Sequence, residues 1–397
     1  MSEALVRSQM PIEILVVDDE PDLQLLIRQK FRKRIRAGEW VFHFAHNGFE
    51  ALDKLAEQPD VSLVLTDINM PGMDGLTLLD RLANLDNTFK SIVISAYGDM
   101  SNIRTAMNRG AFDFVTKPVD FEDLEITIDK TLREVTAFRE ALSSQKTLYA
   151  IQKELAVAAR IQEAFIPAKT LETDQISIHA FLEPANEVGG DFFDFFQLDD
   201  HRIGIVIGDV SGKGVSAALF MAITKTLLKA IAMDGRDPKA CMTYVNALLY
   251  PQSLAEVFVT SCYGILDTRT GAFEYTTTGH FPPFVIRQND TIELLDPIRS
   301  VGLCMTKDFQ YDSKSTTLQP GDSIFMYTDG LNEAARADGQ LFTDEGVEST
   351  LRETIQQDNL FSAKERVAHI VAAVKEFTKG APQSDDLTLL MLHYKPQ

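Results

Sequence analysis

Acidic, hydroxyl and lysine side chains stand at the ends of short apolar runs in the N-terminal third of the chain. They are Asp18, Asp19, Asp67, Ser95 and Lys117. Converging carboxylates repel one another unless a cation joins them, and an all-oxygen ligand set favours Mg²⁺. A carboxylate beside Mg²⁺, a lysine and a hydroxyl can attack a phosphoryl donor, because the metal and the ammonium group neutralise charge on the transferring group. Asp67 is the candidate nucleophile of such a site.

Each of these residues also has an ordinary structural interpretation. Asp18 and Asp19 can cap the helix that follows them, and Ser95 can belong to a turn. Lys117 can be a solvated strand end. Because ligands of an open parallel sheet bind outside the carboxyl ends of the strands, the occurrence of all five residues at strand ends favours one shared site.

A second set of carboxylates lies in four short motifs farther along the chain: EVGGD, GDVSGKG, YTDG and SDDLT. Their aspartates are Asp191, Asp209, Asp329, Asp385 and Asp386. Hard oxygen ligands without nearby His or Cys point to Mg²⁺ or Mn²⁺ rather than to zinc. Two such ions, about 3.5–4 Å apart, can activate a water that attacks phosphorus in line. The pattern predicts phosphate hydrolysis, although a single Asp-Gly pair is more often a turn.

The first set of residues needs a parallel sheet to bring it together. Short apolar runs alternate with segments of helical period up to about residue 118, and they predict strands at 12–17, 41–45, 61–66, 91–95 and 112–116. This alternation predicts an α/β doubly wound domain over 1–120, with a five-stranded parallel sheet covered by helices on both faces.

A long helical linker is predicted over 121–167. No Gly or Pro occurs between residues 119 and 166, and apolar residues recur there at steps of three and four. From Leu148 the apolar stripe resumes out of phase, as in a coiled coil with a stutter. Two interpretations remain open, namely a helix that lies on its own domain and a parallel homodimer contact that carries a signal.

The chain after Pro167 contains many short β-rich segments with helical stretches between them. The segments predict strands at 179–182, 202–207, 258–266, 272–278, 323–327 and 387–392, and helices at 214–233, 238–249 and 363–377. This pattern predicts an α+β domain over 168–397.

Composition excludes several classes of protein. The chain has 397 residues, 45% hydrophobic and 24% charged, which are ordinary proportions for a globular protein. Its net charge of −20 repels phosphate backbones and anionic lipid surfaces, so we expect neither nucleic acid nor a membrane as a partner. Three widely spaced cysteines fit a reducing compartment, and no export signal or membrane span is visible. We therefore expect a cytoplasmic protein.

The N-terminal motifs are VVDDE, LTDINMPGMDG, VISAYGD and FDFVTKP. With them, residues 12–120 resemble the receiver domain of two-component response regulators, which has a flavodoxin-like fold. The resemblance implies that Asp67 accepts a phosphoryl group from a sensor histidine kinase or a phosphotransfer protein. The Mg²⁺ ligands that it implies are Asp18, Asp19, Asp67 and the backbone carbonyl of Asn69.

The same resemblance implies roles for three further residues. Ser95 and Lys117 would bind the phosphoryl oxygens. Phe114, three residues before Lys117, matches the aromatic switch position of receiver domains. The alternative for Phe114 is a buried strand residue of the core.

Six motifs follow one another over about 150–395: ELAVAARIQEAFIP, EVGGDFFDFF, IGDVSGKGVSAAL, TTGHFPP, YTDGLNEA and SDDLTLLML. They resemble the PPM-type serine/threonine phosphatases of the SpoIIE-like and RsbU-like branch. The resemblance implies a layered β-sandwich flanked by helices, with two Mn²⁺ or Mg²⁺ ions bridged by Asp209 with help from the Val210 carbonyl. The other ligands that it implies are Asp191, Asp329 and Asp385, with Asp386 a less certain neighbour.

One position departs from the pattern of many eukaryotic PPM phosphatases. They have a histidine two residues after the bridging aspartate, proposed to protonate the leaving group, whereas this chain has Ser211. The proton donor is therefore unassigned, and a metal-bound water is a sufficient hypothesis. His280 in TTGHFPP is a weaker candidate, because a histidine beside a strand end and Pro282 is more often structural.

Together the two resemblances predict a response regulator whose phosphorylation on Asp67 controls a metal-dependent protein phosphatase. The implied substrate is a phosphorylated STAS-type anti-sigma-factor antagonist. The alternative is a phosphorylation-gated adaptor with a non-catalytic phosphatase-like domain that binds a sigma factor or its regulator. Because the aspartates that such an adaptor can lose are all present, the enzyme is favoured. A DNA-binding regulator is disfavoured, since no basic recognition helix is visible.

Overall fold

A computed structural model describes residues 11–85, 88–96, 99–252, 257–356 and 362–395 of the chain. The chain forms two compact units, Met1–Ala150 and Ile151–Gln397. The predicted borders at residues 120 and 167 stay predictions.

The N-terminal unit contains a five-stranded parallel sheet. Its strands are β1 (Ile12–Val17), β2 (Trp40–Ala45), β3 (Val61–Asp67), β4 (Lys90–Ala96) and β5 (Asp113–Lys117), in the order β2-β1-β3-β4-β5. The predicted doubly wound sheet is confirmed, and each predicted strand end lies within one residue of the observed end. Strand β2 lies on one side of β1, whereas β3, β4 and β5 follow on the other side. The carboxyl ends of β1 and β3 therefore border the crevice where such parallel sheets bind ligands.

Helices cover both faces of this sheet. They are α1 (Pro21–Lys30), α2 (Arg32–Arg36), α3 (Gly48–Glu57), α4 (Gly75–Leu82), α5 (Met100–Asn108) and the first part of α6 (Phe121–Phe165). Along β1, Ile14 and Val16 pack on one face with Leu124 of α6, and Leu15 and Val17 pack on the other. Both faces are apolar, which explains the unbroken hydrophobic runs in the sequence.

Helix α6 contains 45 residues and confirms the predicted long helix. Its first four turns lie on the receiver core, where Leu124, Ile128, Leu132 and Val135 are buried. The interpretation of a helix on its own domain therefore holds for this part. Farther along the helix the apolar side chains are exposed, among them Phe138, Leu148, Tyr149, Ile151, Val157 and Ile161.

The second unit contains two antiparallel sheets. One, in the order β14-β11-β10-β9-β8, consists of β8 (Phe192–Gln197), β9 (Arg202–Val210), β10 (Val259–Asp267), β11 (Ala272–Thr278) and β14 (Lys314–Thr317). The other, in the order β13-β12-β15-β16-β7-β6, consists of β6 (Thr170–Glu172), β7 (Ile176–Glu183), β12 (Phe284–Ile286), β13 (Ile292–Leu294), β15 (Ser323–Tyr327) and β16 (Leu387–Tyr394). The helices are α7 (Val215–Ala232), α8 (Pro238–Leu249), α9 (Asp329–Asn332), α10 (Thr343–Gln356) and α11 (Ala363–Phe377).

The two sheets pack face to face, and helices cover their outer faces. Phe193, Ile205 and Tyr275 of the five-stranded sheet belong to one core with Ile324 and Leu390 of the six-stranded sheet. Helices α7 and α8 pack on the outer face of the first sheet, and α10 and α11 on the outer face of the second. The predicted layered β-sandwich flanked by helices is confirmed.

Several elements of this unit were not predicted from the sequence. Strand β8 is buried at five consecutive positions, so it lacks the alternation that marks a half-exposed strand. Strands β6, β12 and β13 have three residues each, which is too short for a periodic signal.

Helix α7 is long and apolar enough to cross a membrane by length and composition, and 39% of it is buried. It also carries Lys225, whose Nζ lies 2.6 Å from a carboxylate oxygen of buried Asp194 on β8. Because its buried face packs on the five-stranded sheet, we interpret α7 as a core helix of the layered unit.

Candidate functional sites

In the N-terminal unit, one lysine gathers the carboxylates at the ends of β1 and β3. The Nζ of Lys117 lies 2.8 Å from Asp67, 3.2 Å from Asp18 and 3.0 Å from Glu20. Oxygen atoms of these three carboxylates lie within 4.8 Å of one another, a spacing that suits a metal ion. Glu20 follows the two aspartates at the end of the first predicted strand, but no ligand role was predicted for it.

Three other predicted residues lie differently. Ser95 is fully buried, and its hydroxyl has no hydrogen-bond partner among the described residues. Asp19 and Asn69 are exposed, and Asp19 is not a member of the carboxylate group. Asp19 and the Asn69 carbonyl therefore stay predicted ligands. Phe114 is 36% exposed, so the alternative of a buried core residue is wrong, and its switch role stays a prediction.

Burial and charge oppose each other in this site. Burial raises the pKa of Asp18, although a backbone amide and Lys117 favour its charged form. Burial would lower the pKa of Lys117, but its hydrogen bonds to Asp67 and Glu20 outweigh that cost and raise it. The lysine is thus fixed as a cation beside Asp67. A cation, an unpartnered hydroxyl and clustered carboxylates fit the binding of Mg²⁺ and a phosphoryl group.

In the second unit, strand pairing brings the predicted aspartates to one end of the sandwich. Asp191 directly precedes β8 and Asp209 lies near the end of β9, and the pairing of Phe192 with Gly208 sets them side by side. Asp329 follows β15, and Asp385 lies just before β16. The end of β15 pairs with the start of β16, so these two aspartates are neighbours as well.

Two hydroxyls hold the carboxylate of Asp191. It is 2% exposed, and its Oδ2 accepts hydrogen bonds from the hydroxyls of Thr328, at 2.7 Å, and Thr388, at 2.5 Å. Both threonines lie in motifs quoted above, YTDG and SDDLT, but the sequence did not reveal their role. The contacts fix the orientation of Asp191 and tie the start of β8 to the other sheet.

Asp386 and two glycines complete this end of the sandwich. The buried carboxylate of Asp386 accepts from the backbone amide of Asp191 at 3.2 Å. A Cβ atom on Gly190 would lie 2.6 Å from the Val210 carbonyl oxygen, and one on Gly330 would lie 1.8 Å from the carbonyl oxygen of Asp386. Only glycine permits these approaches, which bring the Val210 carbonyl beside the Asp191 segment.

Burial and mutual repulsion raise the pKa values of the aspartates in this cluster. Burial, and next the charge of Asp329, raises the pKa of Asp209 to about 7. Burial and the charge of Asp209 raise the pKa of Asp191, and burial and the charge of Asp385 raise that of Asp329. Lys213, which is half exposed, lies 3.2 Å from a carboxylate oxygen of Asp385. Asp191 is buried, and Asp209, Asp329 and Asp385 are partly buried. Carboxylates that repel one another form a donor set that divalent cations stabilise, so the residues fit a metal centre.

The structure defines hydrogen bonds of Ser211, which stands at the position of the eukaryotic histidine, and of His280, the weaker candidate for the proton donor. The Ser211 hydroxyl accepts from the amide of Phe258 at 2.9 Å. Both ring nitrogens of His280 are occupied, one by the Thr260 hydroxyl and one by the Tyr327 carbonyl, at 3.0 Å each. Burial lowers the pKa of His280 to about 4, so the ring is neutral. This geometry agrees with the structural interpretation of His280.

Gln162 of helix α6 contacts the segment that leads to Asp191. The amide nitrogen of Gln162 donates to the Gly189 carbonyl at 2.6 Å, and its amide oxygen accepts from the Gly189 amide at 3.1 Å. Gly189 lies two residues before Asp191. Gln162 is part of ELAVAARIQEAFIP, so the motif contained this contact without showing it.

Comparison with known proteins identifies both domains. The family model of the response regulator receiver domain matches residues 14–129, and that of Stage II sporulation protein E (SpoIIE) matches residues 199–395. Sporulation initiation phosphotransferase F of Bacillus subtilis is 36% identical over 121 residues, 30% of this chain and 93% of that protein. The chain belongs to the response regulators and carries a C-terminal SpoIIE-type phosphatase domain.

Two further relatives concern the phosphatase domain. Phosphoserine phosphatase RsbU of Bacillus subtilis is 27% identical over 278 residues, 69% of this chain and 81% of that protein. The chain also resembles the solved SiaA-PP2C domain of Pseudomonas aeruginosa, with a TM-score of 0.55 and 22% identity. The match covers 63% of this chain and 99% of the SiaA structure, and it shows a shared fold. The predicted receiver domain and the predicted class of enzyme, a PPM-type protein phosphatase, are confirmed.

Proposed function

We propose that this response regulator is a metal-dependent serine/threonine protein phosphatase whose activity depends on phosphorylation of Asp67. One observation carries the proposal: Asp191, Asp209, Asp329 and Asp385, from four separate chain segments, converge at one end of the sandwich. RsbU, a relative, is named a phosphoserine phosphatase, which supports a phosphoserine or phosphothreonine substrate.

The donor set of the second unit would hold two Mn²⁺ or Mg²⁺ ions, which supply a nucleophilic water at neutral pH and neutralise charge on the phosphoryl group. Asp209 would bridge them together with the Val210 carbonyl. Asp191, held by its two threonine hydroxyls, keeps its other carboxylate oxygen for a ligand. Asp329 and Asp385, at the ends of strands of the six-stranded sheet, would be the remaining ligands. The proton donor stays unassigned, and a water is the proposed donor.

In the receiver, Asp67 would attack the phosphoryl donor. Lys117 and the buried Ser95 hydroxyl would bind the transferred oxygens, and Asp18 and Glu20, with the predicted Asp19 and Asn69, would hold Mg²⁺. Phosphorylation adds charge and acceptor oxygens, which draws Ser95 and its neighbours inward. The donor would be a sensor histidine kinase or a phosphotransfer protein.

Helix α6 is the proposed link between the two activities. The helix begins on the receiver core at Phe121 and continues to Gln162, whose amide pairs with both backbone groups of Gly189. A change in the pitch or pairing of α6 would therefore move the segment that carries Asp191. The exposed apolar stripe from Leu148 onward supports a parallel homodimer through this helix as the two-state element.

For the substrate we propose a phosphorylated STAS-type anti-sigma-factor antagonist. The support is the resemblance to the RsbU-like branch and the match to RsbU itself. Assays with candidate antagonists, with and without a phosphodonor for the receiver, test both the substrate and the direction of control.

The decisive test of catalysis is Mn²⁺-dependent hydrolysis of p-nitrophenyl phosphate by the full chain. We expect activity in the wild type and none above background in Asp209→Ala. The control is Asp199→Ala, which removes an exposed carboxylate outside the cluster. Equal activity in wild type and Asp209→Ala would leave the phosphorylation-gated adaptor as the remaining function.

The test of coupling compares activity towards a phosphoserine protein with and without an acyl-phosphate mimic at Asp67. We expect the mimic to change the dephosphorylation rate of the wild type. It should leave the rate of Gln162→Leu unchanged, because the leucine side chain cannot form hydrogen bonds with Gly189. Gln152→Leu, on an exposed part of the same helix, should respond as the wild type does. Identical rates for wild type, Asp67→Ala and the mimic complex would show that the receiver does not control the phosphatase.

A further inference from the structure

His280 connects the two sheets of the second unit at the aspartate cluster. Its Nε2 lies 3.0 Å from the carbonyl oxygen of Tyr327, so this nitrogen must carry the proton and donate. In the neutral ring, Nδ1 is then an acceptor, and the Thr260 hydroxyl donates to it at 3.0 Å. Thr260 belongs to β10 of one sheet and Tyr327 to β15 of the other.

Both partners of His280 stand next to predicted metal ligands. Thr260 pairs directly with Asp209 across the β9–β10 ladder, and directly opposed residues project from the same face with Cβ atoms about 4.5–5.5 Å apart. Tyr327 precedes Asp329 by two residues, and Thr328 between them donates to Asp191. The ring therefore spans the gap between the strand that bears Asp209 and the strand end that leads to Asp329.

We propose that His280 is a positioning residue that sets the separation of Asp209 and Asp329. The inference rests on the proposed function, because it concerns the same carboxylates. One rigid ring with a single donor and a single acceptor fixes both sheets at this point, whereas the repulsion between the carboxylates pushes the sheets apart. Partners of metal ligands commonly account for roughly 10–100-fold in metal affinity.

The experiment measures Mn²⁺ binding to the full chain by calorimetry, beside hydrolysis of p-nitrophenyl phosphate. In His280→Ala we expect the Kd for Mn²⁺ to rise by about tenfold, the lower end of the range for direct partners of metal ligands, because His280 contacts neighbours of Asp209 and Asp329 rather than those carboxylates. At saturating Mn²⁺ we expect kcat to recover towards the wild-type value, since no reacting group is lost. His280→Gln, which can still donate to Tyr327, and Thr260→Val, which removes only the other hydrogen bond, should each give a smaller rise.

A second histidine provides the matched control. The ring of His393 lies 3.0 Å from the hydroxyl of Ser323, at the opposite end of β15 from Asp329. His393→Ala removes a histidine–hydroxyl hydrogen bond within the six-stranded sheet, away from the aspartate cluster. We expect it to lower the melting temperature and to leave the Kd for Mn²⁺ unchanged.

The outcomes separate this inference from the proposed function. If the wild type binds no Mn²⁺, the proposed function fails. If the wild type binds Mn²⁺ and His280→Ala binds it equally well, or if His393→Ala weakens it as much, the positioning role is wrong. If His280→Ala does not fold, unchanged affinity in both His280→Gln and Thr260→Val overturns the role.

Discussion

The two acidic sites balance their charge in different ways. In the receiver, Lys117 lies within 3.2 Å of three carboxylates and is itself 24% exposed, so the site contains its own cation. In the phosphatase unit, among the described residues, the cation nearest to the aspartates is half-exposed Lys213, which contacts Asp385 at the edge. The first arrangement suits a carboxylate that must wait for a phosphoryl group. The second fits the proposed divalent ions, which would neutralise its carboxylates.

Removal of divalent metal should have the largest effect and should affect the two sites differently. After treatment with EDTA we expect hydrolysis of p-nitrophenyl phosphate to fall by more than about 100-fold, because even the partners of metal ligands account for 10–100-fold. Thermal unfolding should shift downward for the phosphatase unit and change little for the receiver. Equal shifts for both units would show that Lys117 does not replace the metal's charge.

Lys117→Met should make the stability of the receiver depend on divalent metal as well. Asp18 and Asp67 would then be buried without a cation, which costs about 2–3 kcal/mol in the free energy of unfolding of the receiver, given that the lysine is partly exposed. Added Mg²⁺ should stabilise this variant more than the wild type. Calorimetric melting with and without Mg²⁺ measures both effects, and an unchanged receiver transition in the variant would contradict the argument.

The stability of the metal-free phosphatase unit should depend on pH. The pKa of Asp209 is raised from its usual value to about 7 by burial and neighbouring charge, so its folded form prefers the proton. Its contribution to stability is complete below about pH 4 and is lost as the pH rises through 7. A difference of about three pKa units is worth roughly 4 kcal/mol in full, and solvent screening of this partly exposed carboxylate reduces it to about 2 kcal/mol. Asp209→Asn should flatten this slope in melting experiments, and a slope of the opposite sign would refute the assignment.

The smallest effect is expected at the threonines that hold Asp191. Thr388→Val deletes one hydrogen bond to that carboxylate, which costs about 1 kcal/mol of stability. It should also weaken Mn²⁺ binding by about tenfold, because the carboxylate loses its fixed orientation. Thr317→Val, on an exposed position of edge strand β14, serves as the control. Unchanged Mn²⁺ affinity in Thr388→Val would leave the hydroxyl with a purely structural role.

Much of the fold was predictable because local patterns decide it. The receiver strands are apolar runs between helices of clear period, and every one was placed to within a residue. Strand β8 was missed because both of its faces are buried, so no alternation distinguishes Phe192–Gln197 from any other apolar run. Edge strands such as β13 depend on pairing with distant segments, which a local pattern does not contain.

Individual contacts were harder to predict than the aspartates themselves. Asp191 and Asp209 stood out by residue type and by the glycines beside them. The bond from Thr388 to Asp191 joins positions 197 residues apart, and the pair formed by Gln162 and Gly189 requires a helix end to meet a loop. Glu20 was left without a role for another reason, since two aspartates precede it and only the folded chain shows which acids face Lys117.

The place of β16 in its sheet has a consequence for biosynthesis. This strand, the last of those in the described residues, lies in the interior of the six-stranded sheet between β15 and β7, and Asp385 and Asp386 lie just before it. A ribosome therefore delivers a complete receiver long before the final carboxylates emerge. We expect the nascent chain to accept phosphate on Asp67 while it is still unable to hydrolyse any phosphoprotein, so that catalysis begins only once β16 has been inserted.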